Sequence, residues 1–233
     1  EGFADLDVDG LIEYPTADGF VVNDLTTCNF SAPENFIVLE CVVRLLRKGY
    51  KAQHLELEPR WQLGRGASGG KADILVKDQQ GRPLLLIECK TAGTEFKRAW
   101  AKTLQDGDQL FSYAQQISET RFLCLYTADL DGDAVRYTSH IVAHRDNERY
   151  LADNPHFKPF RSATDVKERH AVWRDTYKLD FRTKGLFEDN IPPYQIGKSK
   201  YTSADLQAVN SVDQQGKYHE YATILRQHNV SGR

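Results

Sequence analysis

The sequence predicts an α/β fold in which a central mixed β-sheet is flanked by helices. Three observations carry this. A helix with a broad apolar face, residues 31–48, precedes three short strand-like segments with turn residues between the last two. A long helical stretch then covers residues 95–117. Two further apolar strands follow, at 122–126 and 135–142. Short turns suit an antiparallel meander, whereas a helical crossover suits a parallel neighbour. The two together require a mixed sheet with helices packed on it.

Each element has a local reason. Residues 1–30 mix acidic and apolar side chains without a period and read as an irregular lead-in. Ser31-Ala32-Pro33-Glu34 reads as a helix start, with a capping serine and proline and glutamate in the first turn. Phe36, Leu39, Val43 and Leu46 share a helical face that Val38, Val42 and Leu45 widen. Glu40, Arg44, Arg47 and Lys48 fill the narrow polar sector, and Gly49 stops the helix. A face that broad is buried against something large.

His54 to Trp61 alternates, with Leu55 and Leu57 set against Glu56 and Glu58. Ala72 to Lys77 is short and β-rich, Asp78 to Gly81 is a turn, and Leu84 to Lys90 is the near-continuous apolar run of a central strand. The helical stretch from Glu95 to Ile117 is interrupted near Asp106-Gly107-Asp108. Past Asn154 the character changes: aromatic residues, charges and prolines intermix, with a short helix expected at Thr164–Trp173. Residues 190–201 read as a linker, and helix is expected to resume from Tyr201. The expected organisation is thus a domain over 1–154, an irregular extension and linker over 155–200, and the helical start of a following domain over 201–233.

Composition sets outer bounds. A chain of 233 residues can bury a full core without disulfides. With 40% hydrophobic and 27% charged residues it belongs to the soluble globular class. There is no signal peptide and no long apolar run, so neither secretion nor a membrane span is expected, and the location expected is cytoplasmic. Cys28, Cys41, Cys89 and Cys124 are scattered without a CxxC pair, which fits reduced, packed thiols better than disulfides or zinc. The net charge of −3 gives no overall attraction to nucleic acid, so a nucleic-acid site would need locally concentrated basic residues.

The chemistry sits in two neighbouring strands. Glu88 and Lys90 lie two positions apart at the end of an apolar strand and therefore share a face. Charges there are costly to desolvate unless paired or bound to an ion. Asp73 lies in the preceding strand with fourteen residues between it and Glu88, a separation that a hairpin through Gly81 spans. Two carboxylates converging with a lysine suit phosphodiester hydrolysis. The carboxylates hold a hard divalent cation, with the Cys89 carbonyl as a further ligand. Lys90 orients the attacking water and offsets charge on the phosphate. The bland alternative is an ordinary cross-strand ion pair, because an ExK triplet alone is common.

These residues resemble the PD-(D/E)xK nuclease superfamily. Asp73 matches its first acidic position, and Glu88-Cys89-Lys90 its second acidic position and lysine; Ala72 stands where a proline often precedes the aspartate. The resemblance implies a restriction-endonuclease-like αβββαβ core, Mg2+ as cofactor with Mn2+ as a substitute, and cleavage of double-stranded DNA. In the helix that follows, Gln109 and Tyr113 fit the Gln-xxx-Tyr pattern of the branch with RecB-like nucleases and the N-terminal nuclease domain of type I restriction subunits. Their i,i+4 spacing puts both on one helical face, where they could contact DNA backbone; a helix residue plus a half-buried tyrosine is the alternative.

The stretch from Glu34 to Asp129 is similar to that restriction-subunit domain, and Lys217 to Arg233 is more loosely similar to the lead-in to an N6-adenine methyltransferase. That implies methyltransferase, specificity or motor modules in cis or trans. In the family a first-helix glutamate often helps bind metal. Glu40 is the candidate, from its place on the polar sector, with Glu34 as substitute, and an ion pair to Arg44 is the competing reading for Glu40.

Residues 64–71 are not a phosphate-binding loop: the first glycine is misplaced, and Ala72 stands where a Ser or Thr should hold magnesium. As a basic loop leading to Asp73, the segment could touch DNA backbone through Arg65 and Lys71, or be plain surface. The histidines show no metal-ligand spacing and are expected to be surface or packing residues. Two other readings stand beside a restriction endonuclease: a module of the same fold that binds DNA or protein without cutting, and a repair or recombination nuclease.

Overall fold

The structure, a computed structural model, describes residues 10–60, 70–132, 134–143, 151–181 and 231–232. Helix α1 (Pro33–Arg47) leads into strands β3 (Leu55–Leu57), β4 (Ile74–Lys77) and β5 (Pro83–Cys89). Helices α2 (Thr94–Asp106) and α3 (Asp108–Gln116) follow, then strands β6 (Phe122–Asp131) and β7 (Ala134–Ala143). Two short strands precede α1, β1 (Ile12–Glu13) and β2 (Val21–Val22), and α4 (Val166–Ala171) follows the sheet.

The sheet has six strands in the order β2-β3-β4-β5-β6-β7. β3, β4 and β5 form the antiparallel meander, β6 runs parallel to β5, and β7 returns antiparallel. The mixed sheet expected from the turn and crossover lengths is therefore the one formed. β2 was not expected; two valines in a polar stretch carry no periodicity, yet they pair in parallel with β3.

Both faces of the sheet are covered, which is why β5 reads as unbroken apolar sequence. Alternation divides it: Leu85, Ile87 and Cys89 pack with α1, while Leu86 packs with Phe96, Trp100 and Phe111 of α2 and α3. α1 is buried from Asn35 to Arg47. Its first residue is Pro33, as suits a position that needs no amide hydrogen, but its cap is Ala32. The expected capping serine lies one residue too early, and its hydroxyl bonds Asn29 Oδ1 at 2.5 Å.

The expected helix 95–117 is two helices, broken at Gly107, whose φ of 86° is left-handed. A Cβ there would come within 2.8 Å of Phe111 Cβ. β3 is shorter than the expected strand because Glu58, at φ 49°, turns the chain out of extended geometry; Trp61, its expected end, lies outside the described residues. Residues past 154 contribute to the core: Phe160, Val172, Trp173 and Tyr177 join the cluster under α3. The expected helix there is α4 followed by a π-helical turn over Val172–Thr176. The linker at 190–201 and nearly all of the expected C-terminal helix lie outside the described residues; Ser231–Gly232 pair with β1 as a short strand, β8.

Candidate metal centre

Register brings the first two carboxylates together. Ile74 pairs with Ile87 in the antiparallel ladder, so Asp73, one residue before β4, stands opposite Glu88 near the end of β5. Directly opposed residues project on the same face. α1 supplies a third carboxylate, Glu34, from its first turn. One oxygen from each of Glu34, Asp73 and Glu88 lies within 4.8 Å of the others.

Lys90 lies inside this group. Its Nζ donates to Glu88 Oε1 at 2.6 Å and to Glu34 Oε1 at 2.9 Å. The Lys90 amide bonds the Tyr126 carbonyl at 2.9 Å, which keeps the residue in register just past the strand end. The Cys89 amide donates to Asp73 Oδ2 at 2.6 Å and fixes that carboxylate. Tyr113, from α3, brings its hydroxyl to the Glu88 carboxylate. Behind the tyrosine ring is Gly70, where a Cβ would come within 2.9 Å of Tyr113 Cε1, so the backbone before Asp73 passes the ring as closely as a glycine permits.

The electrostatics follow from burial and crowding. Burial raises the Asp73 pKa well above the usual carboxylate range, and the Glu88 and Glu34 carboxylates push it further. Burial raises Glu88 too, against the pull of Lys90. Burial disfavours the Lys90 ammonium, but Glu88 and Glu34 outweigh it and hold the lysine pKa above its ordinary value. Lys90 is therefore a fixed positive charge. Burial and the Glu88 charge raise the Tyr113 phenol, so it stays protonated and able to donate.

The donor set fits a hard divalent cation. It is three carboxylates, all oxygen, drawn from three different elements. Glu88 is 4% exposed, and its Oε2 is buried without a donor of standard geometry among the described residues. Such an oxygen is costly unless something positive meets it. The open side of the cluster is Glu34, whose side chain is 37% exposed against 5% for Glu88. A ligand would enter past the N-terminus of α1.

Of the residues read from sequence, Asp73, Glu88 and Lys90 come together. Glu40 does not join them. It is buried two turns further along α1, bonded to Arg44 and to the Tyr126 hydroxyl. Arg44 in turn lies 3.8 Å from the centroid of the Tyr137 ring. The polar sector of α1 faces strands β6 and β7, so its glutamate serves a buried ion pair, and Glu34 occupies the place at the centre. The bond seen from Cys89 to the site comes from its amide.

The expected shared face of Gln109 and Tyr113 divides. Gln109 is exposed, while Tyr113 is 3% exposed and turned to Glu88. A tyrosine so placed holds a carboxylate rather than touching DNA backbone. Lys71 is engaged with Glu58 Oε2 at 2.5 Å, Thr26 Oγ1 at 2.8 Å and Asp24 Oδ2 at 3.4 Å. It ties the segment before α1 to the start of β4, in a cluster that Arg60 joins by pairing with Asp24. Arg65 lies outside the described residues.

All four cysteines are buried and free. His140 packs on Trp100 with ring centroids 4.4 Å apart, and His170 packs edge-on to Phe111 at 5.7 Å, as expected of packing residues. Among the described residues no helix is long and apolar enough to cross a membrane. Compared with models of known protein families and with curated proteins, the chain matches none.

Proposed function

We propose that this chain is a divalent-metal-dependent endonuclease module that hydrolyses phosphodiester bonds of duplex DNA, of the PD-(D/E)xK type. One observation carries the reading: Glu34, Asp73 and Glu88 converge from three elements around the ammonium of Lys90. The order of elements supports it, since α1, the β3-β4-β5 meander, the α2–α3 crossover and β6 parallel to β5 follow the αβββαβ plan. Duplex DNA and a restriction–modification setting come from the resemblance of residues 34–129 to the nuclease domain of type I restriction subunits.

Asp73, Glu88 and Glu34 would hold Mg2+, or Mn2+ in its place. The cation supplies charge stabilisation at the phosphate and a lowered pKa for a water bound to it. The rest is done by the chain. The Cys89 amide holds Asp73 in place, and Tyr113 holds Glu88. Lys90, whose ammonium bridges Glu88 and Glu34, would act as a hydrogen-bond donor to the attacking water or a phosphate oxygen and offset negative charge there.

The test is nicking of supercoiled plasmid. Wild type should nick with Mg2+ or Mn2+ and not with EDTA, and Asp73→Asn, Glu88→Gln and Lys90→Ala should each lose activity by about a hundredfold or more. Metal-dependent nicking that survives in all three variants would assign the cleavage elsewhere. DNA binding without any nicking by wild type would favour a non-cleaving module of this fold.

A further inference from the structure

We propose that Lys90 competes with the divalent cation for the carboxylates of the centre, so that this lysine sets the affinity for metal as well as serving the reaction. The proposal rests on the metal-centre reading above and deepens it. Lys90 Nζ bridges Glu88 Oε1 at 2.6 Å and Glu34 Oε1 at 2.9 Å. These are two of the three carboxylates that lie within 4.8 Å of one another. Magnesium sits at about 2.0–2.1 Å from its oxygen ligands. A cation held by the same two oxygens would stand only a few ångströms from the ammonium nitrogen. Two positive centres that close, in a site where Glu88 is 4% exposed, repel strongly.

The ammonium stays close even when displaced. It is carried two residues from Glu88 on the same strand end, its side chain is 16% exposed, and its amide is pinned to Tyr126. It is therefore a tethered competitor at fixed local concentration. What lets a divalent ion compete is the oxygen that Lys90 leaves unused, Glu88 Oε2, buried with no hydrogen bond of standard geometry among the described residues although the Tyr113 hydroxyl is near the carboxylate. A divalent ion would gain Asp73 and the free side of Glu88 together, whereas the ammonium satisfies only two Oε1 atoms. A monovalent ion brings no more charge than Lys90 already provides. The arrangement favours divalent over monovalent cations and weakens binding of both.

The experiment is Mn2+ binding to the full chain by isothermal titration calorimetry, without DNA, for wild type, Lys90→Gln and Lys90→Arg. Thermal unfolding with and without Mn2+ is measured alongside. The glutamine variant should bind Mn2+ about tenfold or more tightly than wild type, and its melting temperature should rise more on Mn2+ addition. The arginine variant, which keeps the charge, should bind about as wild type does. If the glutamine variant does not fold, Lys90→Met removes the charge while keeping the stem, and the same gain is expected.

Equal or weaker Mn2+ binding by a folded, charge-free variant, with wild type still binding, would overturn the competition and leave the metal centre intact. Absence of Mn2+ binding in wild type and variants alike would overturn the metal centre and the competition with it. Nicking activity cannot stand in for this measurement, because loss of Lys90 removes activity under either account.

Discussion

At the scale of single residues, Glu34 and Glu40 show how position decides role. Both lie on α1, six residues apart, which is about 9 Å along the axis. Glu34 reaches the carboxylate group at the sheet end, while Glu40 is closed in with Arg44 and Tyr126. Glu34→Gln should therefore cut metal-dependent nicking by about tenfold or more and leave thermal stability little changed. Glu40→Gln should do the reverse. An uncompensated buried Arg44 costs about 3–5 kcal/mol, measurable by urea unfolding, while the folded fraction keeps its activity.

Asp73 carries a stability cost of its own. Its folded pKa lies above the unfolded value, so the proton favours the fold. Its contribution is present below the unfolded pKa, near 3.9, and is lost as pH rises through the folded pKa. Asp73→Asn should consequently be more stable than wild type at neutral pH, by on the order of 1 kcal/mol, although inactive. That advantage should shrink to nothing on acidification below about pH 4 in melts taken across the range. An asparagine variant no more stable than wild type at pH 7 would show that the carboxylate is not strained there.

At the scale of elements, two structural devices hold the centre: the β4–β5 register and the packing of α3. The register sets Asp73 against Glu88, and α3 delivers Tyr113 to Glu88. Gly70→Ala tests the second device, because its Cβ would press on the Tyr113 ring at 2.9 Å. The turnover number for nicking should fall toward that of Tyr113→Phe, with a melting temperature within a few degrees of wild type. Full activity in the alanine variant would mean that Tyr113 has no positioning role.

The elements were legible where period and punctuation were strong: α1, β5, the break at Gly107 and β7, with β6 read only as far as Tyr126 of a strand that runs to Asp131. They were less so where tertiary contacts overrode local pattern. β2 has only two residues, and β3 ends early because Glu58 takes a left-handed φ. The pair of strands that carries the centre could be read because charges ending an apolar run are physically anomalous. The polar sector of α1 misled because amphipathic spacing marks a distinct face without saying that it meets solvent. That face is buried, and Glu40 and Arg44 on it pair with each other. Gln109 and Tyr113 separate for a related reason, since residues four apart differ by about 40° around a helix, enough at a packed boundary to expose one and bury the other.

At the scale of the whole molecule, the sheet acts as a rigid frame with its two faces sealed and one end charged. α1 on one face and α2–α3 on the other each send one side chain, Glu34 and Tyr113, to that end. The segment around α4 is part of the frame, since Phe160, Trp173 and Tyr177 pack under α3, and Arg169 bonds Gln115 at 2.9 Å. The central claim is that the charged end holds one divalent cation. Diffraction from crystals soaked in Mn2+ tests it most directly, through the anomalous signal of the metal. A cation held there gives a peak coordinated by Glu34, Asp73 and Glu88, absent in Asp73→Asn crystals soaked in the same way. A well-ordered site at which those three carboxylates show no peak, with Lys90 still bridging Glu34 and Glu88 at saturating Mn2+, would contradict it.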